Sequence, residues 1–315
     1  MDTAPLHDHI ARAPAGGRAF WLRTQDGVRL RMAAWTQGPL GAQKGTVLLL
    51  PGRTEYIEKY GPAAGEMAAR GYAMLAVDWR GQGLADRLVP DPVKGHVAQF
   101  SDYQLDFDAV VAAAEQLELP RPFFMLGHSM GGCIGLRALN RGAQIKAAAF
   151  SAPMWGIRVP LLLRPVIATF ARGLANGPFA LTYALGTDET TYVYKDAFAV
   201  NKLTTDPTMW AFMLEQLARE PALALSGPSL QWLSQALDEC ASLAALPSPA
   251  VPCHTALGTR ERIVDATAVR ARMANWTGGQ LAMMPGAEHE VMMETAATRA
   301  RFYDAATALF DAHGL

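Results

Sequence analysis

Gly127-His128-Ser129-Met130-Gly131-Gly132 decides how the rest of the chain is read. The run before it, Pro122-Phe123-Phe124-Met125-Leu126, is short and bulky, as a buried strand is. The run after it, Cys133-Ile134-Gly135-Leu136-Arg137-Ala138-Leu139, has the apolar spacing of a buried helix. The serine therefore stands at a strand-to-helix turn. Glycines two before and two after it let the backbone fold sharply without a Cβ clash. Such a turn pushes Ser129 Oγ outward and aims the amide N–H of Met130, at the helix start, toward whatever the serine holds. G-x-S-x-G in this setting is a nucleophile elbow.

Upstream, Phe20 to Arg23 and Val28 to Trp35 flank Asp26-Gly27, a hairpin signal. Residues 1–17 read as a loose leader. Thr46 to Leu50 is a continuous apolar run, as in a strand covered on both faces, and it ends at Pro51-Gly52-Arg53-Thr54-Glu55. A helical pattern from about Tyr56 to Arg70 stops at Gly71. The next strand, Tyr72 to Val77, delivers Asp78-Trp79-Arg80-Gly81-Gln82-Gly83, read as a structural turn. Ser101 is a plausible N-cap for a helix through Leu117. Downstream of the elbow, Ile145 to Phe150 is a strand closed by Ser151-Ala152-Pro153.

From Met154 to about Leu246 the strand–helix alternation gives way to helical stretches broken by Pro178, Pro207, Pro221 and Pro228. It resumes with a strand at Val251–Leu257, a helix at Asp265–Trp276, a strand at Gln280–Met284 and a helix at Glu294–Ala312. Alternating strands and helices imply an α/β fold, a mostly parallel sheet with helices on both faces. The expected organisation is a core made of 1–153 and 247–315, with 154–246 inserted as a helical cap.

Composition narrows the function. With 28 basic and 29 acidic residues the net charge is −1, so no basic field argues for a nucleic-acid partner. Hydrophobic residues make up 50% of the 315, ample for a sizeable core. Cys133, Cys240 and Cys253 are odd in number and far apart, offering neither a disulfide framework nor metal-ligand spacing. The first 17 residues lack the apolar stretch of a signal peptide. The most apolar segment, Leu161 to Ala175, is interrupted by Arg164, Pro165 and Arg172, which argues against a membrane span. A cytoplasmic protein is expected, with a peripheral position at the inner face of the membrane as a further reading.

A serine hydroxyl needs a base within hydrogen-bond reach, itself oriented by an acid. On sheets of this kind the partners follow in the order serine, acid, histidine. His289, in Gly286-Ala287-Glu288-His289-Glu290, comes directly after a strand, at the sheet edge where ligands sit. His7, His9 and His313 are near the termini, His128 is the elbow's own variable position, and His254 is inside an apolar strand. His96 is the remaining rival. The acid should follow the strand Val251–Leu257. Glu261 sits mid-loop there; Asp265 is the alternative but has the look of a helix N-cap. Glu261 could instead form a surface ion pair with Arg260 or Arg262. Two backbone donors are needed for an oxyanion, for which Met130 N–H and Arg53 N–H are the candidates. The Arg53 side chain either grips a phosphate or pairs with Glu55 or Glu58. No metal or organic cofactor is called for. A zinc helix is excluded because no second histidine follows His289 at the required offset.

At these residues the chain resembles the α/β-hydrolase superfamily and, within it, the monoacylglycerol lipase and bacterial lysophospholipase group. The resemblance covers roughly residues 20–153 and 250–312. It rests on the elbow, on Asp78–Gly83, on Arg262-Ile263-Val264-Asp265 and on His289-Glu290. It implies hydrolysis of a single-chain lipid ester beneath a helical cap. Two departures stand out. Monoacylglycerol lipases usually carry His-Gly before the oxyanion donor, and here Pro51-Gly52-Arg53 looks closer to the lysophospholipase side. Their acid is usually aspartate, and here Glu261 takes that place. The stretch Trp155–Leu174 has two readings, as a contact with an anionic membrane surface or as core packing. Acyl transfer to an alcohol on the same residues, a small-ester carboxylesterase, and a non-catalytic binding protein of the same fold are the alternatives.

Overall fold

The computed structural model describes residues 1–36, 43–158, 173 and 177–314. Among the described residues a nine-stranded sheet forms the centre, in the order β1-β2-β3-β5-β4-β6-β7-β8-β9. Its first strands, β1 (Thr3–Ala4), β2 (Arg18–Arg23) and β3 (Arg29–Trp35), are antiparallel, and β3 also runs antiparallel to β5 (Ala73–Asp78). From β5 onward all neighbours are parallel: β4 (Thr46–Leu50), β6 (Phe123–His128), β7 (Ala148–Ser151), β8 (Cys253–Gly258) and β9 (Gly279–Met284).

Residue type explains the arrangement. β4, β5, β6, β7 and β8 are buried at every position, as strands covered on both faces must be. The hairpin at Asp26-Gly27 is present, with Gly27 at a positive φ of 87° that glycine adopts without strain. Helices α2 (Gly61–Ala69), α3 (Asp102–Gln116), α4 (Met130–Asn140), α8 (Ala266–Ala274) and α9 (Ala296–His313) alternate with the strands. Between β7 and β8 the described residues hold helices and turns but no strand. The main ones are α5 (Tyr192–Lys195), α6 (Pro207–Arg219) and α7 (Leu230–Ala245).

Three expectations need correction. The first 17 residues are not a loose leader. Thr3 and Ala4 pair with β2, and α1 (Asp8–Ala11) buries Ile10 beside Tyr56, Leu217 and Leu223. Gln216 Nε2 donates to Ile10 O, and His7 Nδ1 lies 3.2 Å from Glu220 Oε1, so this segment is stitched to α6. The pattern at Tyr56–Arg70 resolves into a 3-10 turn, Ile57–Tyr60, followed by α2, because Pro62 favours a fresh helix start. Ser101 occupies the N-cap position of α3 without a side-chain capping bond.

No helix among the described residues is long and apolar enough to cross a membrane. Most of Trp155–Leu174 lies outside the described residues. Its first residue, Trp155, is buried, and its indole N–H donates to Gly132 O at 3.0 Å.

Candidate active site

The elbow is built as its sequence requires. Ser129 has φ 48° and ψ −116°, a conformation that L-residues rarely adopt and that persists only where the surroundings impose it. Ser129 N donates to Ser151 O at 3.1 Å, and Met154 N donates to Ser129 O at 2.8 Å. A Cβ on Gly131 would lie 2.0 Å from Leu50 O, so only glycine lets the start of α4 press against the end of β4.

Two further loops reach the same rim. A Cβ on Gly258 would lie 2.2 Å from Glu288 O, so glycine lets the loops after β8 and β9 run against each other. One carries Glu261 and the other His289. His289 Nδ1 stands 2.7 Å from Glu261 Oε2, with both side chains buried. The other carboxylate oxygen of Glu261 accepts from Ile263 N at 2.5 Å and Val264 N at 3.0 Å. The His289 loop is also held by the stretch between β7 and β8: His289 N donates to Lys202 O and Glu290 N to Leu203 O. Ser129 and His289 face one cavity of about 250 Å³, whose apolar wall includes Met213, Leu217, Trp232 and Leu233 from α6 and α7.

The rival assignments fall elsewhere. His96 Nδ1 lies 2.9 Å from Ser229 Oγ, and His254 is buried within β8. Asp265 caps α8, its carboxylate accepting from Thr267 N at 2.9 Å. Arg262 pairs with Glu288 at 2.9 Å, which leaves Glu261 for the imidazole. His128 Nδ1 sits 2.9 Å from Ser151 O, and its ring is 4.9 Å from that of His289.

Arg53 pairs with neither glutamate proposed for it. Glu55 is taken by Lys59 at 2.8 Å and Glu58 by Arg31 at 2.8 Å. The Arg53 guanidinium lines the cavity, donates to Ser226 O at 2.7 Å and lies over the Trp232 ring. Burial lowers its pKa to about 10, and the groups that oppose this are hydroxyls of Tyr103 and Tyr192, not carboxylates. Tyr192 lines the same cavity, and its hydroxyl is buried without a hydrogen-bond partner among the described residues.

The electrostatics suit a base. Burial disfavours the imidazolium of His289, but the Glu261 charge and hydrogen bond, then Glu290 and Glu55, outweigh burial and raise its pKa above 6.5. Burial pushes Glu261 up, yet His289 and the two backbone N–H groups leave it below the ordinary carboxylate value. His128 is driven by burial down to about 4 and is neutral at neutral pH.

Sequence reasoning missed the side chains that surround this pair. Glu55, Lys59 and Glu290 all line the cavity. Lys59 falls within the helical pattern of Tyr56 to Arg70, and the sequence reading gives it no role of its own. The signal that could have found it is the four-residue spacing from Glu55, directly after the loop that carries Arg53. The Asp78–Gly83 segment, a structural turn as expected, buttresses that loop: Trp79 Nε1 donates to Pro51 O at 2.9 Å and Gln82 Nε2 to Gly52 O at 3.0 Å.

With this fold and rim in place, the chain belongs to the family described as serine aminopeptidase, S33, whose model matches residues 41–296. It is similar to lysophospholipase L2 of Escherichia coli strain K12, with 31% identity over 85% of this chain and 80% of that protein. It is also similar to a monoacylglycerol lipase of Mycolicibacterium smegmatis, with 28% identity over 85% of this chain and 88% of the other. Among solved structures, a soluble variant of the Saccharomyces cerevisiae monoglyceride lipase shares the fold. Its TM-score is 0.71 at 20% identity, covering 93% of this chain and 94% of that one.

Proposed function

We propose that this protein is a serine hydrolase that cleaves carboxylic esters of single-chain lipids through an acyl-enzyme. The observation that carries this reading is the buried His289–Glu261 pair, 2.7 Å apart, facing one cavity with the strained Ser129. The names of the two curated relatives supply the substrate class. Ser129 Oγ attacks the ester carbonyl. His289 takes its proton and returns it to the leaving alcohol, while Glu261 holds the tautomer and stabilises the imidazolium without accepting a proton. The N–H groups of Arg53 and Met130 receive the oxyanion. Water then attacks the acyl-enzyme by the same proton relay. Residues 154–246 act as a cap whose α6 and α7 line the acyl side of the cavity.

Lysophospholipid is the favoured substrate over monoacylglycerol. A half-buried guanidinium and a tyrosine hydroxyl in one cavity, the first with no carboxylate partner and the second with no hydrogen bond among the described residues, suit a phosphate, which accepts from both. Delivery from a lipid surface is in keeping with exposed Phe179, Leu181, Leu185 and Val200 on the inserted region.

Ser129→Ala should abolish release of fatty acid from both lipid classes; retained turnover would remove Ser129 from the mechanism. Arg53→Ala should lower kcat/KM about tenfold to a hundredfold for lysophospholipid, the worth of a charged hydrogen bond, and far less for monoacylglycerol. Equal losses would exclude the phosphate role.

A further inference from the structure

Beside the catalytic rim lies a second group of charges that the hydrolytic mechanism does not use. Glu55, Lys59 and Glu290 are each at most 5% exposed. Lys59 Nζ lies 2.8 Å from Glu55 Oε1 and 2.6 Å from Glu290 Oε2, so one ammonium bridges two carboxylates. Each carboxylate belongs to a different part of the machinery. The second oxygen of Glu55 accepts from the backbone N–H of Gly52 and from the Tyr60 hydroxyl, which fixes the loop carrying Arg53. Glu290 is the residue after His289. His128 Nε2 lies 3.5 Å from Glu55 Oε1, so the end of β6 abuts the same group.

Packing does not explain such a cluster. Buried ion pairs can often be replaced by hydrophobic groups of similar volume with no loss of stability, so burial alone does not assign this trio a stabilising role. Here the trio also faces a cavity and an imidazole, where buried charge alters chemistry. Nor is a metal required to hold the carboxylates together. Glu55, His128 and Glu290 converge closely enough to ligate an ion, but the Lys59 ammonium already stands between the two glutamates.

We propose that Lys59, Glu55 and Glu290 form a positioning strut that ties the oxyanion loop to the histidine loop and sets the electrostatic background of His289. The inference rests on His289 acting as the base. The groups facing the imidazole are Glu261 from the loop after β8, Glu290 from its own loop, Glu55 and Lys59 from the loop and turn after β4, and His128 from β6. Tyr56 and Tyr60 stand around the same glutamates, and Tyr192 faces Glu261 and Glu290 from the inserted region. Burial and these glutamates raise all three phenols, so they stay neutral. With His128 also neutral, the remaining charges are Glu261, the strut and the Arg53 guanidinium in the same cavity, which the variants below leave in place. Burial raises the pKa of Glu290 and Lys59 opposes this; with both glutamates ionised around one ammonium the strut sums to −1. Its carboxylates favour the imidazolium, and Lys59 limits how far they do so.

Charge arithmetic gives a test that packing alone would not pass. Lys59→Met takes the strut to −2 and should move the acidic limb of the kcat/KM profile to higher pH. Glu290→Gln, nearly isosteric, takes it to 0 and should move the limb to lower pH by about half a unit or more. The double variant returns to −1 and should bring the limb back toward wild type, even if kcat remains low. Lys59→Arg should restore both the limb and the turnover of Lys59→Met in large part. A limb that stays put in Glu290→Gln overturns the strut, whatever Lys59→Met does to folding. Fluorophosphonate labelling of each variant separates the two levels: loss of labelling in the wild-type protein would sink the hydrolase reading itself, whereas labelled variants with superimposed profiles would sink the strut alone.

Discussion

Glu58 and Lys59 are neighbours on one 3-10 turn, yet they enter two different buried clusters of the same composition, two carboxylates and one cation. Glu58 meets Arg31 at 2.8 Å, and Arg31 meets Asp78 at 2.7 Å, all three fully buried. That outer cluster is saturated by backbone. Arg31 also donates to Pro5 O, His7 N donates to Glu58, and Ile57 N and Leu84 N donate to Asp78. It ties the N-terminal segment, β3, β5 and two loops into one piece. The inner cluster of Lys59 faces a cavity and an imidazole instead. Buried charge of equal make-up therefore serves architecture where the backbone saturates it, and chemistry where it borders open space.

The largest break in this contrast is at the acid. Glu261→Gln should lower kcat about 10³–10⁴-fold, because a neutral amide cannot hold the required tautomer, and should leave thermal stability nearly unchanged. A loss under tenfold would remove Glu261 from the role. Next in size is the outer cluster. Arg31→Met leaves two buried carboxylates without their cation and should cost about 3–5 kcal/mol of unfolding free energy. The protein that remains folded should keep the wild-type pH profile. A shifted profile with intact stability would erase the distinction between the clusters.

The wild-type profile sharpens the inner half. As the proposed base His289 must be neutral to accept a proton, and its pKa is raised, so kcat/KM should rise with pH through a midpoint above 6.5. A midpoint at or below 6.5 would contradict the influence of the surrounding carboxylates. The same shift has the opposite effect on folding. Its stabilising contribution is complete below the unfolded-state pKa and disappears as pH rises through the folded value. The smallest effect is expected at Asp265→Asn, since asparagine caps a helix as well as aspartate does. Activity and melting temperature should both stay close to wild type; a large loss of turnover would return the acid role to Asp265.

Much of this was legible because covalent sequence and local geometry coincide there. The elbow announces itself through Gly127 and Gly131, and the buried parallel strands through runs such as Thr46–Leu50. His289 and Glu261, which the fold brings together, could be proposed because each follows a parallel strand, on the side of the sheet where the elbow lies. Lys59 and Glu290 were harder to choose: the four-residue spacing of Lys59 from Glu55 is a local signal, but a lysine on a solvated helix face shows the same spacing. Their partners are 4 and 231 residues away in sequence from Lys59, and only the closed fold brings them together. The N-terminal segment was misjudged for a related reason. Its short strand and Ile10 carry too little periodicity to show, until β2 and α6 are in place, that they are covered.

Peptide mapping after reaction with a fluorophosphonate probes the central assignment most directly. A single phosphonyl adduct should fall on Ser129, and prior protonation of His289 at acidic pH should slow its formation. An adduct on any other residue, or an unreactive folded protein at pH 8, would contradict the assignment of Ser129 and His289 as nucleophile and base.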